Sequence, residues 1–222
     1  MADIDLLEIG YKIGIYFIPF LFALSFHEFA HGFMAKKFGD PTAESMGRLT
    51  LNPMAHADIL GTYVLPLAAI LFAMPFFGWA KPVPVDSRYL KNPKTDMFWI
   101  ALAGPLSNVL LTFVGALLLA LVFSGVAGEA GPGLHKMLEM FIVINLFLAL
   151  FNLLPIHPLD GGKVFARFLP YEWNRWLEMH QGTLSMVLLV AFLLGGFRFL
   201  AYPVYAIAQV LISFSANLSH FL

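Results

Sequence analysis

The chain has 222 residues, 59% of them hydrophobic and only 12% charged, against about 25% charged in an ordinary soluble domain. That leaves too few polar side chains to cover a water-soluble fold, so the composition excludes a soluble enzyme, a disordered chain and a coiled coil, and points to an integral membrane protein. The 13 basic residues nearly balance the 14 acidic ones, giving no electrostatic footprint for nucleic acid, and the lack of cysteine removes disulfides and thiolate metal sites.

A helix needs about 20 apolar residues to cross a hydrocarbon core about 30 Å thick. In chain order, the predicted apolar stretches are 13–35, 59–77, 97–123, 137–154 and 184–218. The first follows an acidic start (Asp3, Asp5, Glu8), and no small-residue cleavage site follows it, so it reads as a span rather than a removed signal peptide. Pro66 and Pro75 interrupt the second. The last is broken by Gly195, Gly196, Arg198 and Pro203 and is too long for one straight span. It reads either as a kinked helix with a tail or as a span plus a shorter segment. Residues 165–179, with Phe168, Trp173, Trp176, Arg167 and Arg175, read as an amphipathic surface helix. The fold class expected is an all-α polytopic membrane protein with about five to six membrane segments and short extended loops on the cytoplasmic side. It is expected to form a single membrane-embedded domain over 1–222, with a motif-bearing core at about 13–162 and accessory segments at about 184–218.

Orientation follows from basic residues in short loops. Lys36, Lys37 and Arg48 follow the first stretch, Lys81, Arg88, Lys91 and Lys94 precede the third, and Lys163, Arg167 and Arg175 follow the fourth. The 124–133 connection has neither Lys nor Arg. The amino terminus and this connection are therefore expected outside, and the three basic loops in the cytoplasm. Basic loops flank residues 59–77 on both sides, so that stretch is expected to enter and return, or to lie shallow.

His27-Glu28-Phe29-Ala30-His31 lies in the second half of the first stretch. Residues four apart share a helix face, so both imidazoles can reach one ion, while the Glu of H-E-x-x-H stands beside the attacking water as general base. Ionisable residues inside an apolar span are functional by default because each carries a desolvation cost. Two histidines leave a hydrolytic zinc site one protein ligand short. The best third candidate is Asp160, in Asn152-Leu-Leu-Pro-Ile-His-Pro-Leu-Asp160-Gly-Gly, where Pro155 and Pro158 end the helix and Gly161-Gly162 permits a sharp turn. The competing reading makes Asp160 a cap of the next helix.

HEFAH, Gly104-Pro-Leu-Ser-Asn108 in the third stretch, and NLLPIHPLDGG ending the fourth together resemble the site-2 protease family, zinc metalloproteases that cut inside membranes. The segments from Gly47 to Asp58 and from Gly78 to Val85 are similar to its compact prokaryotic branch without PDZ or CBS domains. The resemblance implies one zinc per chain held by His27, His31 and Asp160, with Glu28 as catalytic base and Asn152 steadying substrate or oxyanion. It further implies a single-span membrane-protein substrate in the lipid bilayer and a prokaryotic inner membrane, while the basic loops independently place His27, His31 and Asp160 toward the cytoplasmic leaflet. His157 departs from the family pattern and reads as a supporting partner or an alternative ligand. Gly104, Pro105 and Asn108 read as helix packing. His56 and Asp58 read as loop residues or as lining water access, and Val83-Pro-Val85 as a strand for unwound substrate or an interfacial loop. His135, His180 and His220 read as interfacial, with no role. The rival functions are a divalent-metal transporter, which needs a polar path through both leaflets, and a catalytically inactive membrane scaffold.

Overall fold

The computed structural model describes residues 6–74, 76–126 and 131–221. Asp3, Asp5, Pro75 and residues 127–130 of the uncharged connection lie outside the described residues. Among the described residues four helices are long and apolar enough to cross a membrane: α1 (Leu6–Lys37), α3 (Pro93–Phe123), α4 (Pro132–Asn152) and, from Arg198, the last long helix. Between them lie a shorter apolar helix, α2 (Ile59–Phe72), two single helical turns at Thr42–Ser45 and Pro53–His56, and the helices α5 (Asp160–Ala166), α6 (Tyr171–Met179) and α7 (Gln181–Leu193). The last long helix is α8 (Arg198–Leu218). The described residues hold helices and no strand, as an all-α polytopic membrane protein requires.

Local chemistry accounts for the helix ends and irregularities. Pro19 cannot donate the usual helical hydrogen bond, and α1 widens to a π-helical stretch at Ile13–Phe17 just before it. Pro93 and Pro132 each sit in the first turn of their helices, where the missing N–H is of no consequence. Asp96 accepts from the Asn92 N–H at 2.8 Å and so closes the start of α3.

At 14 residues, α2 reaches about 21 Å, short of a hydrocarbon core of about 30 Å. It ends at Ala73, whose φ of 50° is left-handed, with Met74 N–H bonded back to Ala69 O. This short helix suits the path expected for 59–77, a segment that enters and returns or lies shallow. The carboxy-terminal stretch separates into α7 and α8 at a turn where Gly195 takes φ of 77°, so the span-plus-segment alternative holds. With α6 and α7 bent by 68°, that pair adds at most one broken span. The surface helix expected over 165–179 is corrected: α5 stops at Ala166, and Pro170 caps a new helix from Tyr171, because proline cannot continue the preceding turn.

Helices α1, α3 and α4 pack on one another, and α8 closes against α3 and α4. One buried cluster joins Leu119 of α3, Ile142 of α4 and Val204 of α8, and a second joins Phe20 and Leu24 of α1 to Ile144 and Leu148 of α4. By contrast, α7 buries only Leu188 and α6 buries nothing.

Candidate metal centre

The chemistry gathers where α1, α3 and the start of α5 meet. His27 and His31, one turn apart on α1, present Nε2 atoms 3.1 Å from each other. Asp160 Oδ2 lies 3.0 Å from His27 Nε2 and 3.2 Å from His31 Nε2. Asp160 is the first residue of α5, yet its side chain faces the two imidazoles. Gly161 makes this possible: a β-carbon there would strike the carbonyl oxygens of Leu153 and Leu154, so only glycine lets α5 begin so close to the end of α4.

The outward nitrogens identify the tautomers. His27 Nδ1 lies 2.6 Å from Asn108 Oδ1, and His31 Nδ1 lies 2.7 Å from Ile100 O. Both partners are oxygen acceptors, so each Nδ1 carries a proton and donates. Each Nε2 then directs a lone pair inward, toward the other and toward a carboxylate, and all three side chains are buried. Three converging lone pairs repel one another unless a proton or a metal ion sits among them, and three such atoms can share one metal ion. A tetrahedral ion with bonds near 2.05 Å has edges of about 3.3 Å, close to the separations here. Among the described residues this is the one cluster of three His, Asp or Glu side chains with that convergence.

One face of α3 builds the wall behind the imidazoles at four-residue spacing. Ile100 O takes His31, Asn108 Oδ1 takes His27, and Gly104 lies between them. A β-carbon on Gly104 would collide with the Nε2 atoms of both rings. Gly104 and Asn108, read from the sequence as helix packing, thus support the site directly. Two signals could have revealed them: the shared face, and an amide deep in an apolar span.

Glu28 Oε2 accepts from the Val83 backbone N–H at 2.8 Å. Val83 belongs to an extended segment pinned along its length. Trp79 N–H donates to Gly61 O, Lys81 N–H to His56 O at 2.7 Å, and Asp86 N–H to Asp40 at 2.7 Å. Arg48, expected only as a loop charge, is buried and donates from one nitrogen to Lys81 O at 2.6 Å and Pro82 O at 3.2 Å. Removing it leaves two carbonyls without their donor, a loss of about 1–3 kcal/mol for buried groups. Arg48→Ala is therefore expected to keep its metal while losing activity on the order of tenfold. Parallel metal analysis and initial-rate measurement check this, and unchanged rates would contradict it.

In Val83–Val85 the Val83 N–H is engaged and Pro84 has none, so Val85 N–H is the donor left for an incoming strand. His56 ends the helical turn Pro53–His56 and bonds Thr50 O at 2.7 Å, and Asp58 accepts from Gly61 N–H at 2.7 Å to cap α2. His157 is buried but lies outside the trio. Its Nδ1 has no partner and sits against the Gly162 backbone, so an alternative-ligand role does not fit this arrangement. Asn152 faces the same cavity as the trio, and its Nδ2 donates to Leu148 O of its own helix at 3.0 Å.

That cavity measures about 880 Å³. His27, Glu28, His31 and Asp160 line one part of it, and its remaining walls are largely apolar, including Leu24, Phe147, Leu188 and Val204. It extends from the trio beneath α7 to α8.

The profile of the family described as peptidase family M50 matches residues 15–131 and 125–196, most of the chain. The chain belongs to peptidase family M50. This is the site-2 protease family that the three sequence motifs resemble. Among M50 relatives, the chain is 40% identical to "Putative zinc metalloprotease YwhC" of Bacillus subtilis over 156 residues, 69% of this chain and 68% of that protein. It is 37% identical to "Putative zinc metalloprotease MJ0611" of Methanocaldococcus jannaschii over 148 residues, covering 67% of this chain and 66% of the other. It is 31% identical over 170 residues to "Stage IV sporulation protein FB" of Bacillus subtilis, where the match takes in 75% of this chain and 52% of the relative. The aligned region thus spans between about half and about two thirds of these M50 proteins. No solved structure matches the chain.

Proposed function

We propose that this M50 chain is an intramembrane zinc metalloprotease that hydrolyses peptide bonds in or near the transmembrane segment of single-span membrane proteins. The observation that carries the reading is the buried trio of His27, His31 and Asp160, its Nδ1 protons directed outward, on the wall of a large apolar cavity that also holds Glu28. His27, His31 and Asp160 would hold one zinc per chain. A zinc ion there supplies Lewis acidity and brings the pKa of a water toward neutrality.

Glu28 takes the proton from the attacking water and passes it to the leaving amine. Its Oε2 is anchored by Val83 N–H, which leaves Oε1 to handle that proton. Asn152 turns its amide from Leu148 O toward the developing oxyanion. A transmembrane helix buries its carbonyls in its own hydrogen bonds, so the substrate unwinds within the cavity before attack. The basic loops favour an outside amino terminus and an active site toward the cytoplasmic leaflet, and the family resemblance favours a prokaryotic inner membrane, with one membrane-embedded domain over 1–222.

Metal removal tests the reading. Purified protein is expected to carry about one zinc per chain, to lose cleavage of a single-span substrate on dialysis against a chelator, and to regain it with zinc. Cleavage by metal-free protein would overturn the assignment. Metal flux into vesicles that survives Glu28→Gln would instead support transport.

A further inference from the structure

Asn108 and Asn145 are both fully buried, one at the middle of α3 and the other in α4, seven residues before Asn152. Asn145 belongs to none of the three motifs. Its side chain nevertheless completes a chain of hydrogen bonds that starts at the candidate metal centre. His27 Nδ1–H donates to Asn108 Oδ1 at 2.6 Å. Asn108 Nδ2 donates to Asn145 Oδ1 at 2.9 Å and to Ala23 O at 3.3 Å. Asn145 Nδ2 donates in turn to Phe141 O at 2.8 Å.

The direction of this chain is not free. Phe141 O is a backbone carbonyl and can only accept, so the amide group of Asn145 must face it and its oxygen must face Asn108. The Asn108 amide is then obliged to donate toward Asn145 and to turn its oxygen to His27. The opposite orientation would oppose two oxygens at Asn145, and a third at Ala23, with no water to relieve them. It would also place an N–H against His27 Nδ1. The imidazole would then have to accept there and carry its proton on Nε2, pointing at Asp160 and His31. In that tautomer His27 has no inward lone pair.

We infer that Asn145 is a positioning residue for the metal centre: it fixes the Asn108 amide, and through it the Nδ1–H tautomer of His27. The inference rests on the reading of His27, His31 and Asp160 as a metal site. Asn145 acts from a third helix, so the polarity of the site is set by the docking of α4 against α3 as well as by α1. Polarised in one direction, the chain also raises the basicity of the ligating nitrogen, as the outer partners of ligating histidines do.

Three variants of the full chain in detergent test this. Asn145→Leu keeps the volume and removes both polar atoms. Asn145→Asp, as the neutral acid that full burial favours, keeps an oxygen facing Asn108 and an O–H that donates to Phe141 O. Asn145→Thr keeps a buried hydroxyl that can bond back to Phe141 O but is too short for Asn108. The readouts are zinc affinity by chelator competition, the visible spectrum of the cobalt-loaded protein, and the ¹⁵N shifts of the His27 ring in metal-free protein. The leucine and threonine variants are expected to bind zinc about 10–100-fold more weakly, with an altered cobalt spectrum and Nε2–H imidazole. The aspartate variant is expected to stay within a few fold of the parent.

Parental affinity, spectrum and Nδ1–H tautomer in the leucine variant would overturn the inference. If leucine prevents folding, the same parental values in the threonine variant would overturn it instead. Equal losses in the folded aspartate and threonine variants would also overturn it, because an acceptor facing Asn108 would then not matter. A parent chain that binds no zinc fails the metal-site reading itself. A parent that binds zinc and a leucine variant that binds it equally well fail only the role of Asn145.

Discussion

Glu28→Gln is expected to retain zinc at the parental stoichiometry and to lose at least about 100-fold in cleavage rate, the lower bound for removing a positioned general base. Glutamine matches glutamate in shape, and its amide oxygen can still accept from Val83 N–H, so the extended segment stays anchored. Its NH2 group cannot take a proton from water. The variant therefore separates chemistry from assembly. The measurement pairs metal content with the rate of appearance of the cleaved fragment from a single-span membrane protein produced in the same cells. Cleavage at the parental rate would remove Glu28 from the mechanism. Loss of both zinc and cleavage would make it a structural residue.

Gly104→Ala is expected to reduce zinc affinity at least about tenfold, the smaller end of what disturbing the supports of a metal ligand costs. One added methyl group meets the Nε2 atoms of both His27 and His31, and α3 cannot retreat easily because Ile100 O and Asn108 on the same face hold the other ends of those rings. The effect is opposite in sign to the intrinsic one, since alanine favours a helix over glycine by about 1 kcal/mol. Helical content by circular dichroism should thus be retained while zinc is lost. Full zinc occupancy at parental affinity would show that the rings do not occupy that space in the metal-loaded protein.

Both expectations concern residues that the sequence exposes to different degrees. HEFAH can be read directly, because two imidazoles four residues apart on a helix share a face whatever surrounds them. Asp160 is harder: its placement after two prolines and before two glycines marks a bend, but equally suits a helix cap. It is in fact the first residue of α5 and also faces the imidazoles. Gly104 and Asn108 are visible as small and polar residues in an apolar stretch, but spacing cannot say which helix they face. Asn145 shows itself, as Asn108 does, as an amide deep in an apolar stretch, but its partner is Asn108, 37 positions away; Arg48 carries no local signal, since its partner is the Lys81–Pro82 backbone. Pro170 marks the break between α5 and α6, but the aromatic pattern runs across it and masks the boundary.

The scarcity of charge by itself determined that this chain lives in a membrane, and local periodicity determined which residues could share a metal. Both are properties of neighbours along the chain, where helix geometry fixes the distances. Only the tertiary structure decided how the three side chains are held. The Nδ1 partners of His27 and His31 come from α3, the carboxylate from the start of α5, and the anchor of Glu28 from an extended segment 55 residues away. Those contacts arise from helix docking, and a hydrogen bond between helices leaves no period in a sequence.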